Sequence, residues 1–258
     1  MSIFQCLKRG FGCENTIKSL TELNDTLSMQ ETKTIEKLRA ELNNYQKQID
    51  YSFMPAEWKL IDIDVTTTKT QEDGIDIKLD IRDLLNTTIY SRRHASEVIS
   101  KIGLKTDFES YDEYFNRIAL AVANLIIESI TYRTNQDQFN VMDRWNNGDT
   151  ALETGLGDCD ISSRCFVRIM NDALDYLKMF EYKKYVFQVV GYYTNGKNKY
   201  GHSWAMVYNP IKKKFDLIEC TLDNALTELP TDNSKYEKYF VLNFKSIFAV
   251  NNSWRIFL

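Results

Sequence analysis

The order in which two kinds of hydrophobic periodicity occur constrains the fold most. Apolar residues recur every three or four positions in residues 111–132 and in the segment that begins at Cys159, which predicts two helices. Alternating apolar residues then predict strands in four later segments: 185–193, 202–208, 215–222 and about 239–248. Helices followed by sequential strands predict an α+β domain in which helices pack on an antiparallel sheet.

The remaining chain is predicted to form two smaller parts. Residues 1–50 form a helical N-terminal segment with a heptad seam, made of Ile35, Leu38, Leu42, Tyr45 and Ile49. Two heptads are too few to specify a coiled coil, so this segment either packs against its own domain or mediates self-association or partner binding. Residues 51–106 predict a small mixed α/β segment, to which the sequence assigns no role.

Composition and charge exclude several classes of protein. With 32 basic and 36 acidic residues, the net charge of −4 disfavours a protein that coats nucleic acid. No apolar run approaches the roughly 20 residues of a membrane span, and the start of the chain does not resemble a secretory signal. An odd number of cysteines predicts free thiols and a cytoplasmic location: Cys6, Cys13, Cys159, Cys165 and Cys220.

Cys159 is the candidate nucleophile because it follows the sequence GLGD at the predicted start of a helix. Asp158 is placed as the N-cap of that helix. Unpaired N–H groups and the helix dipole favour a thiolate there and can bind an oxyanion. The charges of Asp158 and Asp160 oppose this by raising the thiol pKa, and the sequence leaves the balance open. A small buried cysteine is the alternative.

His202 and Glu219 are the candidate base and orienting acid. If residues 209–212 connect their two strands, the hairpin register places His202 directly opposite Glu219 on one face of the sheet. The carboxylate could then fix the imidazole tautomer while the other ring nitrogen faces a thiol. Asp216 and Asp223 are alternative acids. The alternation of side chains along the strand places Asp216 on the face opposite to His202, and Asp223 lies past the last residue that the hairpin register pairs.

Three segments resemble the core motifs of the transglutaminase-like cysteine hydrolase superfamily: TGLGDCDISSRC, GHSWAMVY and FDLIECT. The upstream stretch DRWNNGDTALETGLGDCD is similar to the lead-in of its bacterial and phage-type protease branch. The resemblance covers residues 108–225. It implies a papain/transglutaminase-like core in a catalytic domain at residues 107–258. Ile161 departs from the pattern, because close relatives commonly have a second acid there.

The resemblance implies a cysteine peptidase or amidase that acts through a thioester. Cys159 matches the nucleophile, His202 the base and Glu219 the third member, where the family more often has Asp. The protein or peptide substrate is attacked without a metal or organic cofactor. Transamidation or deamidation of glutamine is the alternative activity, and a non-catalytic binding module on the same fold is the alternative class.

Other residues could contribute to the cleft. Trp145 either lines the cleft, where its indole N–H could donate a hydrogen bond to the oxyanion, or packs in the core. Trp204 shares a strand face with His202 and either lines the groove or packs. Seven lysines without an acid lie between Tyr182 and Phe215, and they predict either a solvated face or a docking surface for an acidic substrate.

Overall fold

The structure is a computed structural model that describes residue 34 and residues 49–61, 66–72, 75–139, 148–231 and 234–257. The chain divides into two compact units, Met1–Asp50 and Tyr51–Leu258. The predicted heptad seam of residues 1–50 lies outside the described residues except at Ile49. No helix among the described residues is both long and apolar enough to cross a bilayer.

The second unit combines helices with an antiparallel sheet of six strands in the order β1-β10-β9-β6-β7-β8. The strands are β1 (Lys59–Ile61), β6 (Val186–Asn195), β7 (Asn198–Asn209), β8 (Lys214–Ile218), β9 (Tyr236–Leu242) and β10 (Ile247–Ala249). Two small ladders accompany it: β2 (Thr66–Glu72) pairs antiparallel with β3 (Ile75–Asp80), and β4 (Thr131–Tyr132) pairs parallel with β5 (Leu156–Gly157).

In the described part of the second unit, five α-helices precede the main run of strands: α1 (Ile89–Ile102), α2 (Tyr111–Ser129), α3 (Asn135–Phe139), α4 (Asp149–Thr154) and α5 (Cys159–Tyr176). Short 3-10 helices occur at Asp83–Leu85, Phe180–Tyr185 and Trp254–Phe257. Capping boxes start α1 at Thr88 and α2 at Ser110, because each hydroxyl satisfies a backbone N–H of the first turn. The two predicted long helices and the first three of the four predicted strands are therefore present, with shifted ends.

The helix α5 is central to the core. It packs against α1, α2 and β7. Its apolar side chains are fully buried: Phe166, Val167, Ile169, Met170, Ala173 and Leu174. Cys165 is fully buried among them, as a core residue. One face of the sheet is thus covered by helices, as the order of periodicities predicts.

The opposite face of the sheet carries a second apolar cluster. Phe187, Val189 and Met206 are fully buried on it, and the segment from Tyr51 to Trp58 packs over them. The hydroxyl of Tyr51 lies 2.9 Å from that of Ser246. Residues 51–106, without an assigned role from the sequence, therefore contribute the cover of one sheet face, an edge strand and α1 to the unit Tyr51–Leu258. The boundary at residue 107 stays a prediction.

The single strand predicted at residues 239–248 is wrong, since the structure has two strands there. A turn separates β9 from β10, and the side chain of Asn243 holds it. Its Oδ1 accepts hydrogen bonds from the backbone N–H of Lys245 at 2.9 Å and of Ser246 at 2.7 Å. An asparagine that binds the backbone two and three residues ahead favours a turn over a continuous strand.

Candidate active site

The loop that leads into α5 is fixed against the end of α2. Thr131 and Arg133 donate backbone hydrogen bonds to the carbonyls of Gly155 and Gly157, each at 2.8 Å. Gly155 adopts a φ of 72°, and a Cβ at this position would lie 2.9 Å from the carbonyl oxygen of Ser129. Only glycine fits this left-handed, close-packed position without strain. The chain is therefore held tightly just before Cys159.

Asp158 caps α5, as predicted. Its Oδ1 accepts a hydrogen bond from the backbone N–H of Ile161 at 3.1 Å. Cys159 is the first residue of the helix and is half-buried. The sequence prediction of a cysteine in the first turn, behind an aspartate cap, is confirmed.

His202 and Glu219 contact each other directly. The imidazole Nε2 lies 2.7 Å from Glu219 Oε2, and both side chains are largely buried. The predicted register of the hairpin is wrong, however. Met206 pairs with Leu217 and Tyr208 with Phe215, two residues away from the prediction. Because the shift is even, it preserves the face of each side chain, and Glu219 reaches His202 from just beyond the end of β8.

The turn of the hairpin explains the register. Asn209 is a strand residue paired with Lys214, so the connection is residues 210–213 rather than 209–212. Asn209 Oδ1 accepts hydrogen bonds from the N–H groups of Ile211 and Lys212, each at 3.1 Å. Lys213 closes the turn with a φ of 51°. The connection thus has four residues, as predicted, but it is shifted by one residue toward the C-terminus because Asn209 stays in the strand while its side chain holds the turn.

Cys159 lies beside the strand residue that follows His202. The backbone N–H of Ser203 faces the Cys159 sulfur closely enough to act against the rise in the pKa of the thiol. The thiol at the head of α5 is therefore adjacent to β7 at the position of His202. The structure brings together the start of α5, the middle of β7 and the residue that follows β8.

Burial raises the pKa of Cys159 well above its ordinary value. The nearby carboxylates of Asp160 and Asp158 raise it further, while the Ser203 N–H opposes them. The balance that the sequence left open therefore favours the neutral thiol as the resting form. Attack on a substrate then requires a base that removes the proton as the new bond forms.

The two aspartates beside the nucleophile are electrostatically linked. Burial, together with a hydrogen bond and repulsion from Asp160, raises the pKa of Asp158. Asp160 in turn pairs with the fully buried guanidinium of Arg164 at 2.5 Å. Arg164 therefore anchors Asp160, while Asp158 is biased toward its neutral, protonated form.

Glu219 is held as a carboxylate. Burial acts to raise its pKa, but hydrogen bonds from His202 and Thr221 outweigh burial, so that the net pKa is lowered. The Thr221 hydroxyl donates to Oε1 at 2.6 Å, and the Tyr236 hydroxyl donates to Oε2 at 3.1 Å. An ionised Glu219 only accepts hydrogen bonds, so it assigns the proton of His202 to Nε2.

The lowered pKa of Glu219 predicts a specific pH dependence of stability. Its ionised form stabilises the folded state above the ordinary value of 4.5, and this contribution is lost as the pH falls through the lower folded pKa. The free energy of unfolding of wild type and of Glu219→Gln, measured in urea between about pH 6 and about pH 3, should therefore converge at the acid end. A difference that stays constant over this range would contradict the assignment.

A buried polar network joins α5 to the sheet behind the site. Gln188 Nε2 lies 3.1 Å from the Asp160 carbonyl oxygen, 3.2 Å from Ser163 Oγ and 3.1 Å from Ser203 Oγ. The two hydroxyls are 2.9 Å apart, and Ser203 Oγ also donates to the Val189 carbonyl. Sequence reasoning missed this network. Its signal was a glutamine within the apolar stretch VFQVV, where a polar side chain needs buried partners.

The structure tests the predicted role of only one of the two tryptophans that were candidates for the cleft. Trp204 is fully buried, and its ring stacks on that of His202 with centroids 5.9 Å apart and planes 21° apart. Of the two alternatives, the structure therefore favours packing, because a side chain without exposed surface does not line an open groove. Trp145 lies outside the described residues.

The two alternative acids do not replace Glu219. Asp216 is fully buried and accepts hydrogen bonds from Asn209 at 2.7 Å and Lys212 at 3.1 Å, at the far end of the hairpin. Asp223 is exposed and makes no hydrogen bond to His202. The carboxylate that contacts the imidazole is that of Glu219.

The predicted lysine cluster is spread along the molecule. Lys197 and Lys199 lie at one end of the 12-residue strand β7, and residues 212–214 lie beyond its other end. Lys199 pairs with Glu237 at 2.6 Å, and Lys212 pairs with Asp216. An acidic substrate that contacts all seven lysines at once would have to span this strand. Among the described residues, no group of three or more His, Cys, Asp or Glu side chains could hold a metal ion.

Comparison with known proteins gives only a distant structural likeness. No family model matches the chain, and no curated protein matches its sequence. Two similar solved structures are both of Legionella pneumophila LapG. The EGTA-treated form is 11% identical, with a TM-score of 0.43, and the match covers 67% of this chain and 85% of that chain. The other is 10% identical with the same TM-score, covering 69% and 90%. At this distance the likeness carries no argument about activity.

Proposed function

We propose that this protein is a thiol-dependent acyl-transfer enzyme, a peptidase or amidase with a papain/transglutaminase-like core. The observation that carries the proposal is the contact of the Cys159 sulfur with the N–H of Ser203, next to an imidazole whose Nε2 is held by Glu219. Nucleophile, base and orienting acid in this arrangement suit acyl transfer. The substrate would be a protein or peptide.

The first half of the reaction forms a thioester. The Cys159 sulfur attacks the carbonyl carbon of an amide, and Nδ1 of His202 takes the thiol proton in the same step, since the raised thiol pKa disfavours a preformed thiolate. Glu219 stabilises the resulting imidazolium. The N–H groups in the first turn of α5, which lack helical partners, would stabilise the oxyanion.

The second half releases the product. The imidazolium gives its proton to the leaving nitrogen as the C–N bond breaks, and the amine departs. His202 then removes a proton from water, whose oxygen attacks the thioester and displaces the sulfur. The carboxylic acid leaves and the thiol is restored. An amine in place of water would give a transamidation product from the same thioester.

Labelling with a limiting amount of iodoacetamide near neutral pH tests the proposal. We expect selective modification of Cys159, located by mass spectrometry of digested protein, and a large loss of this labelling in His202→Ala. Cys165 and Cys220 serve as internal controls because both are buried. Equal labelling of Cys159 in wild type and His202→Ala would instead favour a binding module without an activated thiol.

A further inference from the structure

A small cavity opens among residues that neighbour the candidate catalytic groups in the chain. Its volume is about 170 Å³, and it is lined by residues from the end of α2 and from β4, by Ser162 of α5 and by residues 220–223 after β8. A site for a whole small molecule usually has about 300–1,000 Å³. This cavity therefore fits a single side chain better than a complete ligand.

The cavity shares residues with the candidate active site. Thr221, which lines it, donates hydrogen bonds to Glu219 from its hydroxyl and its backbone N–H. Tyr132, on the opposite wall, lies within electrostatic range of Cys159 and Glu219. Ser162 is one helical turn beyond Cys159. If a substrate side chain occupies the cavity, it would therefore belong to the substrate residue that carries the reacting carbonyl or to the residue next to it.

The lining combines apolar walls with one charge. Ile127, Ile130 and Leu222 provide the apolar surface, and Asp223 is the charged residue of the described lining. Asp223 is exposed and forms no hydrogen bond or ion pair with the described part of the chain. No lysine or arginine lines the cavity. Burial is the largest cause of the raised pKa of Tyr132, which is about 12, and the Cys159 sulfur and the carboxylates of Asp158, Asp160 and Glu219 raise that pKa further.

We infer that this cavity binds a basic side chain, lysine or arginine, of the substrate residue at the scissile bond, with its alkyl stem against Ile130 and Leu222 and its cationic end at Asp223. Long basic side chains bury their stems on apolar surface while the charge stays near water, which matches a cavity with apolar walls and an exposed carboxylate. The inference rests on the proposed function, because it assigns a substrate preference to the same site.

Affinity labels with matched side chains test this inference. N-acetyl-lysyl, norleucyl and glutamyl chloromethyl ketones present a cation, its uncharged counterpart and an anion next to the carbon that alkylates the thiol. We expect the lysyl reagent to alkylate Cys159 about fivefold faster than the norleucyl one, as for a partly exposed charge pair, and the ratio to fall with added salt. Asp223→Asn should bring the ratio close to one, and Asp223→Lys should make the glutamyl reagent the faster of the two charged labels.

Iodoacetamide separates the two ways in which this can fail. This reagent is uncharged and has no side chain to place in the cavity, so its rate with each Asp223 variant serves to normalise the rates of the affinity labels. Normal iodoacetamide labelling with a lysyl-to-norleucyl ratio that Asp223 does not affect would overturn the cavity assignment and leave the proposed function standing. Loss of selective Cys159 labelling with iodoacetamide in wild type would overturn both.

Discussion

The His202→Ala variant is expected to acylate Cys159 about 10² to 10⁴ times more slowly than wild type, which is the usual contribution of a positioned general base. The raised pKa of Cys159 leaves the thiol protonated, so that little nucleophile exists without the imidazole. p-Nitrophenyl acetate is a suitable probe because it needs no substrate specificity. Its burst of p-nitrophenol, one equivalent per active site, reports thioester formation directly.

Three variants control this experiment. His94→Ala removes the other histidine of the chain, whose side chain bonds Glu97 on α1, and should leave the burst unchanged. Cys159→Ala should abolish the burst. The combined Cys159→Ala and His202→Ala variant should be no slower than Cys159→Ala alone, because residues that act as one unit are strongly non-additive. A burst that survives in Cys159→Ala would assign the acylation to another group.

Asp149→Ala is expected to lower the free energy of unfolding by roughly 3–5 kcal/mol. Arg168 is fully buried on α5, and its Nη2 donates to Asp149 Oδ1 at 2.6 Å. The Thr88 hydroxyl donates to the same oxygen at 2.8 Å. In Asp149→Ala the guanidinium keeps its charge in the core without this carboxylate. Urea unfolding near neutral pH measures the loss.

The combined Asp149→Ala and Arg168→Met variant shows whether the stability lost in Asp149→Ala comes from the buried charge of Arg168 or from another cause. Methionine fills much of the same space without a charge, so the double variant should recover a large part of the lost stability. If the double variant is as unstable as Asp149→Ala, the loss comes from the start of α4 rather than from the buried arginine.

Local sequence rules predict much of this fold because the interactions concerned are local. The long helices follow from their periodicity, and the N-cap of α5 follows from one aspartate ahead of Cys159. The face shared by His202 and Glu219 also follows, since strand parity survives an error of two residues in register. The register itself depends on the side chain of Asn209, which could equally have belonged to the turn.

Interactions between distant segments could not be predicted in this way. The cover of the second sheet face by the segment from Tyr51 to Trp58 depends on packing across most of the chain, which no local pattern encodes. The same holds for Gln188, whose partners come from α5 and β7. The complete burial of Trp204 could not be predicted either. The alternation of residues predicts the sheet face on which Trp204 lies, but its burial depends on the neighbouring strands that pack around it.

Ser203 has a mechanical consequence for the site. Its backbone contacts the Cys159 sulfur, and its hydroxyl is tied to α5 through Ser163 and to β6 through Val189. A thermal displacement of the start of α5 is therefore coupled to a displacement of β7. This coupling keeps the Cys159 sulfur and the backbone of β7 at a constant spacing when the start of the helix fluctuates.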